Sequence, residues 1–306
     1  LMMLGGFVAI VIEMLPWLPV RQPDGQYTYS GSSTVNGRLG FEGMSNPVSI
    51  LDLQERRRAN TQIFGNAALT FHLADGLDLK TQYGIDKQRI EYRGYSSVLL
   101  HNISRPNGWA QIENEDIFYW QQETSLSYNK QFNTHRINAV AGLSWQGRER
   151  NFSMNRTEGF TNDFFKWNNM AAGSLPQAPQ SAYERWGMNS YFMRAAYTLN
   201  DKYSATVTGR YDGSSRFGAN NKFGFFPSMG LAWVASNESF LQDVSWLNNL
   251  KLRSSFGITG NSEIDPYQSI GRAINNTQLL NGTRVSTSYL GNLRNDDLNW
   301  EKTATI

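Results

Sequence analysis

Apolar and polar residues alternate along most of this chain, and that period of two reads as β-strand, because successive side chains of a strand point to opposite faces. In residues 77–86, Leu77, Leu79, Thr81, Tyr83 and Ile85 share one face, while Asp78, Lys80, Gln82 and Asp86 share the other. Residues 118–128 set Phe118, Trp120, Leu126 and Tyr128 against Tyr119, Gln121, Glu123, Ser125 and Ser127. The pattern returns at 137–146, 190–199, 203–211, 229–233 and 250–258, and a fresh alternating segment opens at 300–306. With residues 63–73 as the first, the alternation predicts about eight or nine strands.

The connections are short, then long, then short. Ala74-Asp75-Gly76, Asn129-Lys130-Gln131 and Asn200-Asp201-Lys202 are tight turns, whereas residues 86–116, 147–186 and 213–225 are expected to be long loops. Transmembrane β-barrels have this inequality between the two ends of the sheet. Aromatic placement points the same way. Tyr203 and Tyr211 lie on the apolar face of one strand, roughly 26 Å apart along it and about 20 Å apart in height once the strand is tilted. Trp120 and Tyr128 repeat the spacing. Two interfacial girdles around an apolar band, with Ala205 and Val207 between them, have this geometry. Several stretches run about nine to eleven residues, the length a tilted membrane strand needs.

The predicted fold is therefore all-β, an antiparallel transmembrane β-barrel segment. Residues 1–59 are expected to be a connecting region with an apolar anchor and room for a preceding strand, and residues 60–306 to form the barrel wall. Alternation by itself also fits a soluble or surface-attached β-sandwich or propeller that binds carbohydrate, since such folds too have one wet and one dry face.

Composition narrows this picture. The 306 residues carry 28 Lys plus Arg against 26 Asp plus Glu, scattered along the chain, which gives no footing for a nucleic-acid partner. There is no cysteine, hence no disulfide framework or thiolate metal cluster. A mean hydropathy of −0.49 would exclude a bundle of membrane helices but suits a barrel, whose strands are half polar. The one continuous apolar run, residues 7–12, is broken off by Glu13, Pro16 and Pro19 and is too short to span as a helix. It reads as a buried turn or loop anchor. The chain starts at Leu1 without a basic leader and stops inside an alternating segment, so it is expected to be an internal piece of a longer protein.

Catalytic chemistry is not visible. His72, His101 and His135 have no metal-ligand spacing, and there is no nucleophile elbow, phosphate loop or calcium loop. Asp212-Gly213-Ser214-Ser215 lacks a base and reads as a turn. No enzyme activity, metal or cofactor is expected. Candidate ligand contacts are the loop aromatics: Trp109 after the second strand, and Phe164, Phe165 and Trp167 after the fourth. Flat apolar faces beside polar groups hold sugar rings and peptide side chains, although loops packing on one another need the same residues. Asp78, Lys80, Arg210, Lys251 and Arg253 sit on polar strand faces and are candidates for the barrel lumen.

One set of motifs is more specific. Arg210-Tyr211-Asp212-Gly213-Ser214-Ser215-Arg216-Phe217-Gly218, Phe225-Phe226-Pro227-Ser228 and Gly230-Leu231-Ala232-Trp233 resemble the SusC/RagA family of TonB-dependent outer-membrane transporters. Residues 250–261, which end in Thr259-Gly260-Asn261, then Pro266-Tyr267, and finally Leu298-Asn299-Trp300-Glu301-Lys302, follow in the family's order. Upstream, Pro16-Trp17-Leu18-Pro19-Val20, Asp24-Gly25, Asn46-Pro47-Val48 and Gly65-Asn66-Ala67 fit as well. The resemblance implies a barrel of about 22 strands plugged by a domain this chain lacks, of which the chain is roughly a third. It also implies an outer-membrane location, TonB-driven uptake of an oligosaccharide or peptide, and a SusD-like lipoprotein lid. A family barrel recruited as a scaffold in an envelope assembly is a further possibility. The motif places Asp212, Gly213, Ser214, Ser215, Arg216, Phe217 and Gly218 among the residues the family keeps together.

Overall fold

The computed structural model describes residues 11, 19–28, 46–100, 107–241, 244, 246–280 and 283–306, with the side chains of residues 277 and 279 left aside. The apolar run at 7–12, apart from Val11, lies outside these residues, as do His101 and Pro16-Trp17-Leu18.

A short helix, Pro47–Leu53, leads into the sheet. Asn46 caps it, accepting a hydrogen bond from the Val48 N–H at 2.9 Å, and Pro47 takes the first position, where no N–H is needed. The strands are β1 (Gln54–Ala74), β2 (Leu77–Ser96), β3 (Trp109–Phe132), β4 (His135–Glu158), β5 (Leu175–Pro176), β6 (Gln180–Leu199), β7 (Tyr203–Ser214), β8 (Phe223–Val234), β9 (Lys251–Asn261), β10 (Arg272–Leu280), β11 (Thr283–Asn292) and β12 (Glu301–Thr305). Ten of them form one sheet in the order β1-β2-β3-β4-β6-β7-β8-β9-β12, with β5 beside β4, and β10 pairs with β11 in a separate hairpin. Among the described residues the large sheet does not close on itself. It is a segment of antiparallel barrel wall.

Two of the three tight turns lie where expected, at Asp75-Gly76 and at residues 200–202, whereas Asn129-Lys130-Gln131 falls inside β3 and the chain turns at Asn133-Thr134, with Asn133 at positive φ. Asn200 and Asp201 both adopt positive φ, as the turns that match the twist of a hairpin require, and these two residue types tolerate it best. Gly76 also has positive φ, and a Cβ there would stand 2.1 Å from the Asn129 carbonyl oxygen.

Other expectations need correction too. β1 to β4 and β6 are 20 to 24 residues long, about twice the length that alternation marks out. Their outer parts, such as residues 54–61 and 148–158, carry no continuous apolar face, so backbone ladder bonds extend the strand where no apolar pattern records it. Much of 86–116 and 147–186 is consequently strand rather than loop. The connection expected over 213–225 is only residues 215–222, while the turn-side link from β8 to β9 runs over residues 235–250 and breaks the short-long rhythm. The hairpin of β10 and β11 was not expected either. Asn281-Gly282 between the two strands, a dipeptide strongly favoured in hairpins, is the signal that marks it.

The chain divides into two compact units. The first comprises Leu1–Gln62, Gln88–Ile117 and Arg150–Tyr183, with a core of Tyr95, Ala110 and Phe160 packed by Val98, Trp167 and Met170. The second comprises Ile63–Lys87, Phe118–Glu149 and Glu184–Ile306, with a core of Phe217, Phe226 and Trp300 packed by Met188, Ile258, Ile264 and Leu298.

In the second unit the strand register sorts the faces. Tyr191, Tyr211 and Phe225 stand opposite one another on β6, β7 and β8, and Leu199, Tyr203, Trp233 and Leu252 do so nearer the turns. Between these rows lie Ala195, Val207, Met229 and Phe256. The aromatic rows thus flank an apolar band. Val207, Met229 and Leu231 are 53%, 51% and 56% exposed, where a sandwich would have buried them under a second sheet. Ser204, Thr206 and Thr208 occupy the opposite face of β7.

Candidate functional site

The motif residues that are far apart in sequence meet at the end of the second unit away from the tight turns. Gly213 passes beneath the Phe223 ring, where a Cβ would stand 2.3 Å from the ring edge. Ser214 N–H donates to the Lys222 carbonyl at 2.9 Å, closing the eight-residue connection, and Ser215 exchanges hydrogen bonds with Gly187 on β6 at 3.0 Å each way. Arg216 stacks 4.4 Å over the Trp186 ring, donates to the Ser262 carbonyl at 2.8 Å, and pairs with Glu263 at 3.4 Å. Phe217 is 2% exposed, with its ring 4.6 Å from that of Trp300. Gly218 N–H donates to the Leu298 carbonyl at 3.0 Å, and Trp300 Nε1 donates to the Lys222 carbonyl at 3.1 Å. Tyr267 accepts the Arg185 N–H at 2.9 Å. Phe217, Phe226 and Trp300 thus pack into one cluster from separate motifs, and beside it Arg216 and Tyr267 tie the following segments to β6 at Trp186 and Arg185, so that distant motifs form a joint at this end.

Beside that joint, Arg210 donates from Nε to Asp212 at 2.8 Å and from Nη2 to Ser190 at 3.0 Å. Asp212 is buried, and its Oδ1 has no hydrogen-bond partner among the described residues. The other charged candidates are dispersed. Asp78 meets His72 Nδ1 at 2.6 Å, and Lys80 follows it on the same face of β2. Arg253 pairs in register with Ala232 and Lys251 with Val234, on the face that carries Ser204. The structure does not gather Asp78, Lys80, Arg210, Lys251 and Arg253 into one site.

The loop aromatics belong to the first unit and divide into two kinds. Trp109 opens β3 instead of lying in a loop, and it is 7% exposed, with the Arg156 guanidinium 5.1 Å from its ring centroid. Trp167 packs against the Tyr95 core. Phe164 and Phe165 remain exposed at 82% and 52%, their rings edge to face at 4.8 Å. Asp163, just before them, accepts hydrogen bonds from Tyr95 Oη at 2.7 Å, Ser97 Oγ at 2.6 Å and Val98 N–H at 2.9 Å. Burial pushes the Asp163 carboxyl up, but the bonds from Ser97, Tyr95 and Val98 together outweigh it and hold the group below the usual carboxylate range. Burial, and then the Asp163 bond, push the Tyr95 phenol the other way, well above its ordinary value. No residue pattern announces this latch, because its partners are separated by 65 to 68 positions. Among the described residues no group of three or more His, Asp or Glu side chains is arranged to hold a metal ion.

Comparison with known proteins agrees with this geometry. The family described as TonB dependent receptor-like, beta-barrel matches residues 16–306. The TonB-dependent receptors P3 and P39 of Formosa agariphila are 30% and 33% identical to this chain, over 91% and 94% of its length. The TonB-dependent receptor SusC of Bacteroides thetaiotaomicron is 30% identical over 99% of it. The solved RagAB peptide transporter superposes with a TM-score of 0.79 at 22% identity, covering 92% of this chain and 31% of that one. The alignments take in 28%, 27% and 31% of P3, P39 and SusC, so the chain spans under a third of the length of these relatives. The chain therefore belongs to the TonB-dependent receptor-like β-barrel family and is SusC/RagA-like.

Proposed function

We propose that this chain is part of the wall of an outer-membrane, TonB-dependent importer of oligosaccharide or peptide, working with a SusD-like lipoprotein lid. The observation that carries the reading is the outward face of β6 to β9, with its apolar band between rows of aromatics, in a chain of this receptor family. A band of this kind between aromatic rows matches the lipid-facing surface of a membrane barrel.

On this reading Phe164 and Phe165 meet the incoming ligand or the lid, and Trp109 and Trp167 hold the loop that presents them. Asp78, Lys80, Arg210, Lys251 and Arg253 face the lumen, where they touch the plug, water or the passing solute. The unpartnered Asp212 Oδ1 is a natural acceptor for a plug donor. Lumen substitutions tune selectivity without unfolding the wall.

Two measurements on the intact protein test the proposal. Extracted in detergent, it should migrate differently before and after boiling, and ligand uptake by cells carrying it should stop when TonB is deleted. Unchanged migration together with solubility in the absence of detergent would refute the membrane wall, and uptake that persists without TonB would refute the importer.

A further inference from the structure

On the outward face near the tight turns there is a hollow of about 440 Å³ lined by Tyr197, Tyr203, Leu231, Trp233 and Leu252. Its origin is a row of unequal side chains. Tyr197, Ala205, Leu231 and Ser254 stand in register across β6 to β9, so small residues at Ala205 and Ser254 leave dents between large neighbours. The next row, Leu199, Tyr203, Trp233 and Leu252, forms the rim toward the turns. A lipid-facing surface has no need to be concave, and an empty apolar hollow forfeits dispersion contacts along its lining.

The rim is polar in a particular way. Glu238 accepts hydrogen bonds from Tyr203 Oη at 2.5 Å, Trp233 Nε1 at 3.1 Å and Lys202 Nζ at 3.2 Å. Arg136 pairs with Asp201 at 3.1 Å in the same belt, and Tyr197 Oη meets His135 Nδ1 at 2.6 Å. Lys202 and Arg136 each have an acidic partner, and the other cation along the hollow, Arg253, belongs to the opposite strand face, so the outward rim carries no excess positive charge. Pockets that select anionic lipids are basic. Lys202 uses only part of its three-donor capacity on Glu238, and the carboxylate retains acceptor capacity of its own.

We propose that this hollow binds one acyl chain of a zwitterionic phospholipid, with the phosphate at Lys202 and the headgroup ammonium at Glu238. The apolar walls take the chain, the tyrosine and tryptophan tips sit at headgroup level, and the balanced ion pairs match a head that bears both charges. The site is a specific lipid seat on the wall, distinct from any passage through the lumen.

The intact protein, purified in mild detergent and equilibrated with vesicles of equimolar phosphatidylethanolamine and phosphatidylglycerol, is weighed by native mass spectrometry. One retained phosphatidylethanolamine is expected on the unaltered protein. Ala205→Leu and Ser254→Leu, which fill the dents from the outward side, should each reduce retention about tenfold while heat-modifiable migration stays unchanged, and Lys202→Ala should weaken it to a similar degree. Val207→Leu, on the same face but outside the hollow, should retain lipid normally. Preference for phosphatidylglycerol, absence of retained lipid, or equal retention by the folded filled variants would each overturn the proposal. If Ala205→Leu fails to fold, Ser254→Leu alone decides.

Discussion

The guanidinium of Arg216 lies 4.4 Å over the indole of Trp186, joining the connection after β7 to the neighbouring strand β6. The same side chain reaches Ser262 and Glu263 beyond β9, so one residue holds three segments that are remote in sequence. Arg216→Ala should destabilise the barrel wall by about 2 kcal/mol or more, from the lost stacking and a charge-assisted hydrogen bond. Lysine should recover little of this, lacking the planar fork that both stacks and donates. Urea unfolding of the detergent-extracted protein checks it; full rescue by Arg216→Lys would show that charge alone matters.

Gly218 is the second fastening. A Cβ there would stand 2.1 Å from the Asp296 carbonyl oxygen, and backbone cannot swing aside as a flexible side chain can. Gly218→Ala should therefore part the 215–222 connection from the segment before β12 at a cost of about 1–3 kcal/mol. Hydrogen exchange should show faster labelling at 218–222 and 296–300 together. Labelling confined to one of them would contradict the joint.

The Asp163 latch should respond to acid. Its carboxyl is held low in the folded protein, so the stabilisation is fully present above the ordinary aspartate value of about 3.9 and is lost as pH falls through the folded value. Limited proteolysis of residues 159–174 should accelerate only at strongly acidic pH in the unaltered protein, and at neutral pH in Asp163→Ala. A proteolysis rate that rises between pH 7 and 5 would point to a different group.

The two strand faces should tolerate charge unequally. Val207 lies midway between Tyr203 and Tyr211 on the outward face, and Val207→Arg should cost about 2–4 kcal/mol. Leu231→Arg, in the row next to the Tyr203–Trp233 rim, should cost less, and Arg253→Glu on the opposite face should leave the unfolding midpoint nearly unchanged. Equal cost at Val207 and Arg253 would invalidate the facing.

Among the loop aromatics the effects should separate stability from binding. Trp109→Ala, at a buried site under Arg156, should cost about 3–5 kcal/mol. Phe164→Ala and Phe165→Ala should leave stability within about 0.5 kcal/mol yet weaken ligand or lid binding. Calorimetric unfolding and a binding titration on the same variants distinguish the two; a stability loss at Phe164 as large as that at Trp109 would mean the phenylalanine pair is packing rather than contact surface.

Much of the wall was legible along the chain. Lipid on one face and a polar interior on the other impose a period of two, and that signal located segments of β1 to β4 and β6 to β9 and the outward residues of β6 to β9, from Tyr191 to Phe256. The outer halves of β1 to β4 were not legible, because strands without a continuous apolar face keep their ladder bonds without recording them in side-chain pattern. Trp109 misled for the same reason: a buried aromatic and an exposed one look alike in a segment with no period.

The sequence by itself determined the class of wall, the alternating faces, the aromatic rows and the order of the family motifs. Each of these is a local property, set by the two-fold repeat of a strand or by neighbouring residues. Only the tertiary structure decided that Phe226 packs on Trp300, that Arg216 and Tyr267 both fasten to β6, that Asp163 is held by Tyr95 and Ser97, and that Ala205 and Ser254 open a hollow beside Glu238. Those contacts depend on strand register and chain return across dozens of residues. No periodicity encodes them, because backbone pairing fixes which side chains meet without constraining what they are.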